Sequence, residues 1–293
     1  MNNFLPPIGS LLKNAAKQIP MLDATLLMAA TLGYPKEYVY AHPEYRPTLR
    51  QLVHFKKTIW QRSRGKPLAY LLGRQEFYGR NFLVNKNVLI PRPETEILVE
   101  TALAAIKNNP TTQQPTVLID VGTGSGCIPL TILSELPHLP IQAVAIDISR
   151  AALAVARQNA KTYGVKITLQ PGDLLSPLLA GDIPLPTGAK IFITANLPYL
   201  SVEQFKNEPS IQREPRVALV AKAAGLALYQ KLLAQIPPLK QANQPASITL
   251  LMEINPEQAP PLKNQLTQLF PSATLSSHRD LAGRDRVLEV SKI

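Results

Sequence analysis

The segment Asn196–Tyr199 combines residue types that can hold and activate a planar nitrogen group. It follows the apolar run Lys190–Ile193, so it lies where a strand is expected to end. The Asn196 side-chain oxygen and the Leu197 backbone carbonyl can each accept one N–H, and the Tyr199 ring can cover one face of the group. Two acceptors favour a tetrahedral nitrogen and localise its lone pair, which makes the nitrogen a better nucleophile. The predicted catalytic and substrate-binding residues of this loop are Asn196, Leu197, Pro198 and Tyr199.

A glycine-rich segment earlier in the chain predicts a nucleoside-cofactor site. In LIDVGTGSGCIPLTIL, an apolar strand leads into the turn Gly122–Gly126 and then into a helix with free N–H groups at its start. A dinucleotide site needs glycine where Cys127 stands, whereas the spacing G-x-G-x-G is typical of S-adenosylmethionine enzymes. Asp147 ends the next strand, where a carboxylate can accept both ribose hydroxyls, and Asp173 follows the third, where it can accept from the adenine amino group. Each acid alone could be a strand-end cap, but together with the glycines they predict a bound nucleoside.

Alternating strand and helix patterns predict a parallel sheet in the larger part of the chain. Apolar runs such as PTVLIDVG, IQAVAIDIS, KIFITANLPY and SITLLMEIN alternate with helical segments, which implies βαβ units and the α/β class. The end, ATLSSHRDLAGRDRVLEVSKI, indicates two strands joined by a turn. We expect IPPLKQANQPAS to be a surface loop, and the helix in INPEQAPPLKN to begin after Pro260 and Pro261. The loop at Asn196 then lies beside the glycine-rich turn and faces the reactive end of the cofactor.

The N-terminal part has a helical period instead. LDATLLMAATLG and LRQLVHFKKTIWQRSRGKP place apolar residues on one face and stop at glycine, which predicts a small helical domain. FYGRNFLVNKNVLIPRPE alternates and carries turn residues, as is typical of a hairpin. The predicted organisation is a helical domain at residues 1–75, a hairpin linker at 76–91 and a catalytic domain at 92–293.

Composition narrows the compartment and the kind of partner. The formal net charge of +11 favours an anionic partner, such as an acidic protein or nucleic acid. The single cysteine, Cys127, excludes an internal disulfide and fits a reducing, cytoplasmic compartment. No apolar run approaches the roughly 18 residues that span a bilayer, so no membrane partner is expected. No metal is expected either, because the histidines lack the spacing of metal ligands; they are His42, His54, His138 and His278.

Several motifs, in order along the chain, resemble one enzyme family. They run from about Leu22 to the end and are RGKPLAYLLGRQEFYGRNFLV, VLIPRPETEILVE, DVGTGSGCIPL, NLPY, EPRVAL and DLAGRDRV. Together they are similar to the release factor glutamine methyltransferases, the HemK/PrmC family, whose loop sequence is N-P-P-Y. Leu197 replaces the first proline, which keeps the accepting carbonyl and predicts a looser backbone.

The resemblance implies a seven-stranded, Rossmann-like S-adenosylmethionine methyltransferase fold behind a small N-terminal helical domain that docks the protein substrate. It implies S-adenosyl-L-methionine as the cofactor and peptide chain release factors as the partners, methylated on the glutamine side-chain amide of their Gly-Gly-Gln motif. It also adds Leu174, which flanks the adenine, and the segment Arg92–Glu96, with Arg92 and Glu94 lining the substrate site. The predicted cofactor-binding residues are then Gly122, Thr123, Gly124, Ser125, Gly126, Asp147, Asp173, Leu174 and Asn196.

Two other interpretations stay open on the sequence. The same pocket can hold a flipped adenine, as in nucleic-acid adenine methyltransferases, and the positive charge suits a nucleic-acid partner. RNA adenine dimethyltransferases also use N-L-P-Y, but they lack IPRPETE and carry their extra helical domain after the catalytic one. No dense basic run is present here, so direct nucleic-acid binding is not expected. The second alternative is a non-catalytic module with a relic pocket, against which the intact glycine loop and Asn196 argue.

Overall fold

The computed structural model describes residues 5–109, 114–223 and 225–293. Its contacts divide the chain after Arg74 into two compact units. Across the described ranges, no helix combines the length and the apolar character needed to cross a membrane.

The N-terminal unit is helical, as the period of its sequence predicts. Its helices are α1 (Ile8–Ala15), α2 (Met21–Leu32), α3 (Lys36–Ala41), α4 (Leu49–Ser63) and α5 (Leu68–Leu72). Thr48 caps α4 in a reciprocal capping box with Gln51, which satisfies free N–H groups at the helix start. Leu27 of α2 packs in one buried cluster with Phe55 and Ile59 of α4, so this unit has a core of its own.

The remaining elements form a sheet flanked by helices and preceded by a hairpin. The strands are β1 (Arg74–Phe77), β2 (Arg80–Leu83), β3 (Thr116–Val121), β4 (Ile141–Asp147), β5 (Thr168–Pro171), β6 (Lys190–Ala195), β7 (Ser247–Glu253), β8 (Thr274–Arg279) and β9 (Asp285–Ser291). The helices are α6 (Glu96–Lys107), α7 (Cys127–Glu135), α8 (Arg150–Tyr163), α9 (Ser176–Leu179), α10 (Val202–Asn207), α11 (Ala227–Asn243) and α12 (Ala259–Leu269). β1 and β2 pair with each other as a hairpin that begins at Arg74, earlier than the predicted linker of residues 76–91.

The sheet has seven strands in the order β5-β4-β3-β6-β7-β9-β8, which confirms the α/β prediction. Strands β3 to β7 pair in parallel, and β9 runs antiparallel to both neighbours. The chain leaves β3 towards β4 and β5, and later returns to β6 on the other side of β3. The order of the strands therefore reverses between β3 and β6, and ligands bind at such a point in open α/β sheets.

Both faces of the sheet are covered, which explains why β3 is apolar along nearly its whole length. Successive side chains of a strand point to opposite faces. Val117, Ile119 and Val121 accordingly pack in the cluster that contains α9, α11 and α12. Leu118 lies between them and packs in the other cluster, with α6 and α7.

Two expectations about prolines are wrong. α11 runs through Pro237 and Pro238 to Asn243, where a loop was predicted, and its buried leucines hold it against the sheet. α12 begins at Ala259 and includes Pro260 and Pro261, although the sequence predicted a start after them. Prolines in a first turn lose no intrahelical hydrogen bond, because the N–H groups there have no helical acceptor.

Asn159 of α8 connects the hairpin to the glycine-rich turn. Its Oδ1 accepts from the Leu83 N–H at 2.8 Å, and its Nδ2 donates to the Leu83 carbonyl at 3.1 Å and to the Ser125 carbonyl at 2.8 Å. The side chain is 1% exposed, so water cannot replace these bonds.

We predict that Asn159→Leu lowers the free energy of unfolding by at least about 2 kcal/mol, because a buried N–H and two carbonyls lose their partner. Urea unfolding followed by circular dichroism measures the change. Gln158→Ala, at the exposed neighbouring position, is the control and should shift the value by less than about 0.5 kcal/mol. Equal stability of the Asn159→Leu variant and the parent would contradict a structural role for these bonds.

Candidate active site

A cleft opens where the strand order reverses, at the carboxyl ends of β3 to β6. It encloses about 810 Å³, including its open mouth. The predicted site residues that line it are Gly122, Gly124, Asp147, Asp173, Leu174, Asn196, Leu197 and Pro198. The structure thus brings together residues from four separate strand ends.

The glycine-rich turn leaves space for a ligand. Gly122 and Gly124 have φ values of 74° and 56°, in the left-handed region that favours glycine. A Cβ on Gly124 would meet no protein atom within 4 Å, so the open space beside it belongs to the cleft. A Cβ on Gly122 would lie 3.0 Å from Leu197 Cδ2, which shows that the turn packs directly against the Asn196–Tyr199 loop.

Asp147 is fixed at the end of β4. Its Oδ2 accepts from the Gly124 N–H and its Oδ1 from the Ser149 N–H, both at 2.8 Å. Each carboxylate oxygen keeps further acceptor capacity for a ligand hydroxyl. Burial raises the pKa of Asp147, and the two backbone donors oppose that shift. These features fit a ribose and, with the open glycine turn, S-adenosylmethionine.

Of the other predicted cofactor residues, some line the cleft and some do not. Asp173 pairs with Lys231 of α11, and the next residue, Leu174, has a φ of 56° and lines the cleft. Thr123, Ser125 and Gly126 do not line it. Thr123 and Ser125 are buried. A Cβ on Gly126 would lie 3.1 Å from Leu130 of α7 and 3.3 Å from Ala156 of α8, so this part of the turn packs against these two helices.

The Asn196 amide is oriented by acceptors behind it. Its Nδ2 donates to Glu253 Oε2 at 2.8 Å and to Thr95 Oγ1 at 3.1 Å. Both donor positions are therefore used, and Oδ1 accepts nothing from the described residues. Because Asn196 borders the cleft, Oδ1 is the amide atom available to a ligand there.

The Leu197 backbone is held through its N–H. This N–H donates to the Tyr229 hydroxyl at 3.2 Å, and that hydroxyl donates in turn to the Glu253 carbonyl. Proline at this position has no N–H and could not make the bond. The sequence predicted a looser backbone at Leu197, and the structure instead restrains it by the hydrogen bond that its N–H donates to α11.

The remaining predicted residues lie around the loop but do not line the cleft. Tyr199 is largely buried, and burial, with a smaller effect of Glu253, raises its pKa to about 12. Arg92 forms an ion pair with the buried Glu214, whose second oxygen accepts from the Ile90 N–H at 3.0 Å. Glu94 is exposed. Arg92 therefore fixes the segment before α6.

Comparisons with known proteins place the chain among methyltransferases. Residues 8–73 match the family model of the PrmC N-terminal domain, and residues 95–183 match that of the methyltransferase small domain. A release factor glutamine methyltransferase of Enterococcus faecalis is 34% identical over 269 residues, which cover 87% of this chain and 91% of the relative. One of Bacillus subtilis is also 34% identical, over 94% of this chain and 90% of the relative. The chain belongs to the release factor glutamine methyltransferase family.

Solved structures agree on the fold of this family member. The catalytic domain of human METTL16, in complex with a MAT2A 3′UTR hairpin, has a TM-score of 0.54 at 15% identity and covers 84% of this chain and 83% of that one. The N-terminal domain of human METTL16 in complex with SAH has a TM-score of 0.51 at 14% identity, with 86% of each chain covered. At these identities the likeness shows the fold alone.

Several residues of the site escaped sequence reasoning. Glu253 and Asp120 are each a single acid near the end of an apolar strand, a pattern that marks buried carboxylates and was available in LLMEIN and LIDVG. Burial raises the pKa of Asp120 to about 6, its Oδ1 accepts from Thr194 at 2.6 Å, and its Oδ2 has no partner among the described residues. Tyr229 gave no signal, because its helical spacing is that of an ordinary core residue.

We predict that Asp147→Ala weakens S-adenosylmethionine binding roughly 10- to 100-fold, the value of one charge-assisted hydrogen bond. Titration calorimetry gives the affinity. Asp182→Ala, at an exposed acid outside the cleft, is the matched control. Unchanged affinity in the Asp147→Ala variant would remove this carboxylate from the cofactor site.

We also predict that Tyr229→Phe lowers the rate of methyl transfer about tenfold, because the Leu197 N–H loses its acceptor and the loop loosens. In a Leu197→Pro background the same change should cost less, since no N–H remains to be held. Tyr163→Phe, whose hydroxyl donates to Asn81 at the surface, is the control. Equal effects in both backgrounds would mean that the Tyr229 hydroxyl does not act through Leu197.

Proposed function

We propose that this protein methylates the side-chain amide nitrogen of the glutamine in the Gly-Gly-Gln motif of peptide chain release factors, with S-adenosylmethionine as the methyl donor. Family membership supports the substrate class. The observation that carries the proposal is the Asn196 amide, which has both donor positions engaged and its oxygen available at the cleft.

An amide nitrogen is a weak nucleophile, because its lone pair is delocalised into the carbonyl. S-adenosylmethionine, when bound, would supply a methyl group on a positively charged sulfur: the nitrogen lone pair would form the N–C bond, the S–C pair would stay on sulfur, and the nitrogen would then release one proton to water. Asn196 Oδ1 and the Leu197 carbonyl accept the two N–H groups of the glutamine and favour a tetrahedral nitrogen. Catalysis therefore consists mainly of positioning and of stabilising the positive charge that develops on nitrogen.

We assign docking of the release factor to the N-terminal unit. In α4, Lys56 and Lys57 are exposed, so these two cations face solvent and suit an acidic partner. Arg62, in contrast, is bound to Asp23 at 2.6 Å. Release factors act on ribosomes, so the proposed substrate places the reaction in the cytoplasm.

Transfer of a labelled methyl group tests the function and its main rival. The full chain is incubated with labelled S-adenosylmethionine and with a release factor, its Gly-Gly-Gln glutamine→alanine variant, or ribosomal RNA. We expect label only in the unmodified release factor. Label in the alanine variant at the parent's level, or preferential label in RNA adenine, would overturn the glutamine proposal.

We predict that Asn196→Ala lowers turnover about 100-fold or more while cofactor affinity changes little, since the lost acceptor acts chiefly in the transition state. Steady-state kinetics on the release factor and calorimetry on the cofactor measure the two effects. Asn264→Ala, at an exposed asparagine of α12, should leave both unchanged. If the variant instead lost cofactor affinity but kept normal turnover at saturating cofactor, Asn196 would bind the cofactor and not the glutamine.

A further inference from the structure

We infer that Glu253, as an ionised carboxylate, is a positioning residue that turns the Asn196 oxygen towards the glutamine and strengthens it as an acceptor. The inference rests on the proposed function. It concerns a residue at the end of β7 that touches neither substrate nor cofactor and acts through Asn196.

The position of Glu253 follows from the register of the sheet. β6 and β7 are parallel, with Ala195 opposite Met252, so Asn196, directly after β6, lies beside Glu253, the last residue of β7. Glu253 is 3% exposed, and its Oε2 accepts from Asn196 Nδ2 at 2.8 Å. An ionised carboxylate accepts and cannot donate, so the amide group that faces it must be the NH2. The Asn196 oxygen is thereby directed away from Glu253.

The negative charge does more than choose the orientation. A hydrogen bond from an N–H to a carboxylate is roughly twice as strong as one to a neutral acceptor, and it draws electron density within the amide towards its oxygen. A more negative Asn196 Oδ1 stabilises the positive charge that develops on the glutamine nitrogen. Protonation of Glu253 removes this polarisation and leaves only a neutral acceptor.

The surroundings of Glu253 make this protonation accessible near neutral pH. Burial raises its pKa to about 7, and Glu94 acts in the same direction. Hydrogen bonds from Thr95 and Asn196 and the positive charge of Arg286 oppose the shift. The other titratable groups that interact with it stay neutral there, since burial raises the pKa of each; they are Tyr199, Tyr229 and Cys127.

The rate of methyl transfer should depend on pH through the charge of Glu253. Above a pH of about 7 Glu253 is a carboxylate and the amide is polarised, and below it the group is neutral. The single-turnover rate of methyl transfer should therefore rise through neutrality. Neither the glutamine amide nor a sulfonium titrates in this range, so the step reports on the protein.

The test compares the parent with Glu253→Gln in single turnover, with saturating cofactor and release factor, from pH 5.5 to 9. The glutamine introduced at position 253 mimics the protonated glutamic acid in shape and charge. We expect the variant to be slower by about tenfold at pH 8.5, with no step near pH 7. The two rates should converge at pH 5.5. Cofactor affinity, measured at each pH, should be the same in both proteins.

A matched control and a direct titration exclude a merely structural effect. Glu289→Gln, on the adjacent strand β9, makes the same change at a carboxylate bound to His278 and should keep the parent's rate and pH step. The 13C signal of the Glu253 carboxyl in the parent should titrate near the kinetic step. Equal rates and pH profiles in Glu253→Gln and the parent, or a carboxyl signal that titrates below pH 5, would overturn the inference. No methylation of the release factor by the parent at any pH would overturn the proposed function instead.

Discussion

The site depends on the Asn196 amide presenting its oxygen, and not its NH2, to the cleft. An amide has no intrinsic preference between its two ends, so the choice must come from groups behind it. Thr95, at the start of the helix before the sheet, and Glu253, at the end of the neighbouring strand, provide it. Parallel pairing of β6 with β7 keeps Glu253 in reach, so the order of the strands determines the chemistry of the loop.

The second acceptor is part of the backbone and is restrained by different means. The family's loop sequence has a proline where this chain has Leu197, and a ring then limits the backbone. Here the Tyr229 hydroxyl joins the Leu197 N–H to the carbonyl of Glu253. Glu253 thus contributes to both acceptors, with its side chain to Asn196 and with its backbone to Leu197. Close packing of Leu197 against Gly122 sets the distance between the loop and the cofactor turn.

The sequence predicted the fold class, the glycine turn and the loop, because these depend on local period, on positive φ and on motif spacing. It did not predict Glu253 or Tyr229 as parts of the site. A single acid at the end of an apolar strand marks Glu253 as a buried carboxylate, but what it holds depends on strand register, and the role of Tyr229 depends on a helix that follows the loop at a distance along the chain. The proline errors have the same origin: tertiary packing keeps α11 helical through Pro237 and Pro238. Arg92, predicted to line the substrate site, also pairs with Glu214, a partner far along the chain that no local pattern indicates.

A crystal structure with the demethylated cofactor and a Gly-Gly-Gln peptide, solved at pH 8.5, tests the central claim most directly. The account predicts the glutamine nitrogen within about 3.2 Å of both Asn196 Oδ1 and the Leu197 carbonyl, with Glu253 still bound to the opposite end of the Asn196 amide. A glutamine held by its carbonyl oxygen, with the Asn196 NH2 turned towards it and the Glu253 contact broken, would contradict the account.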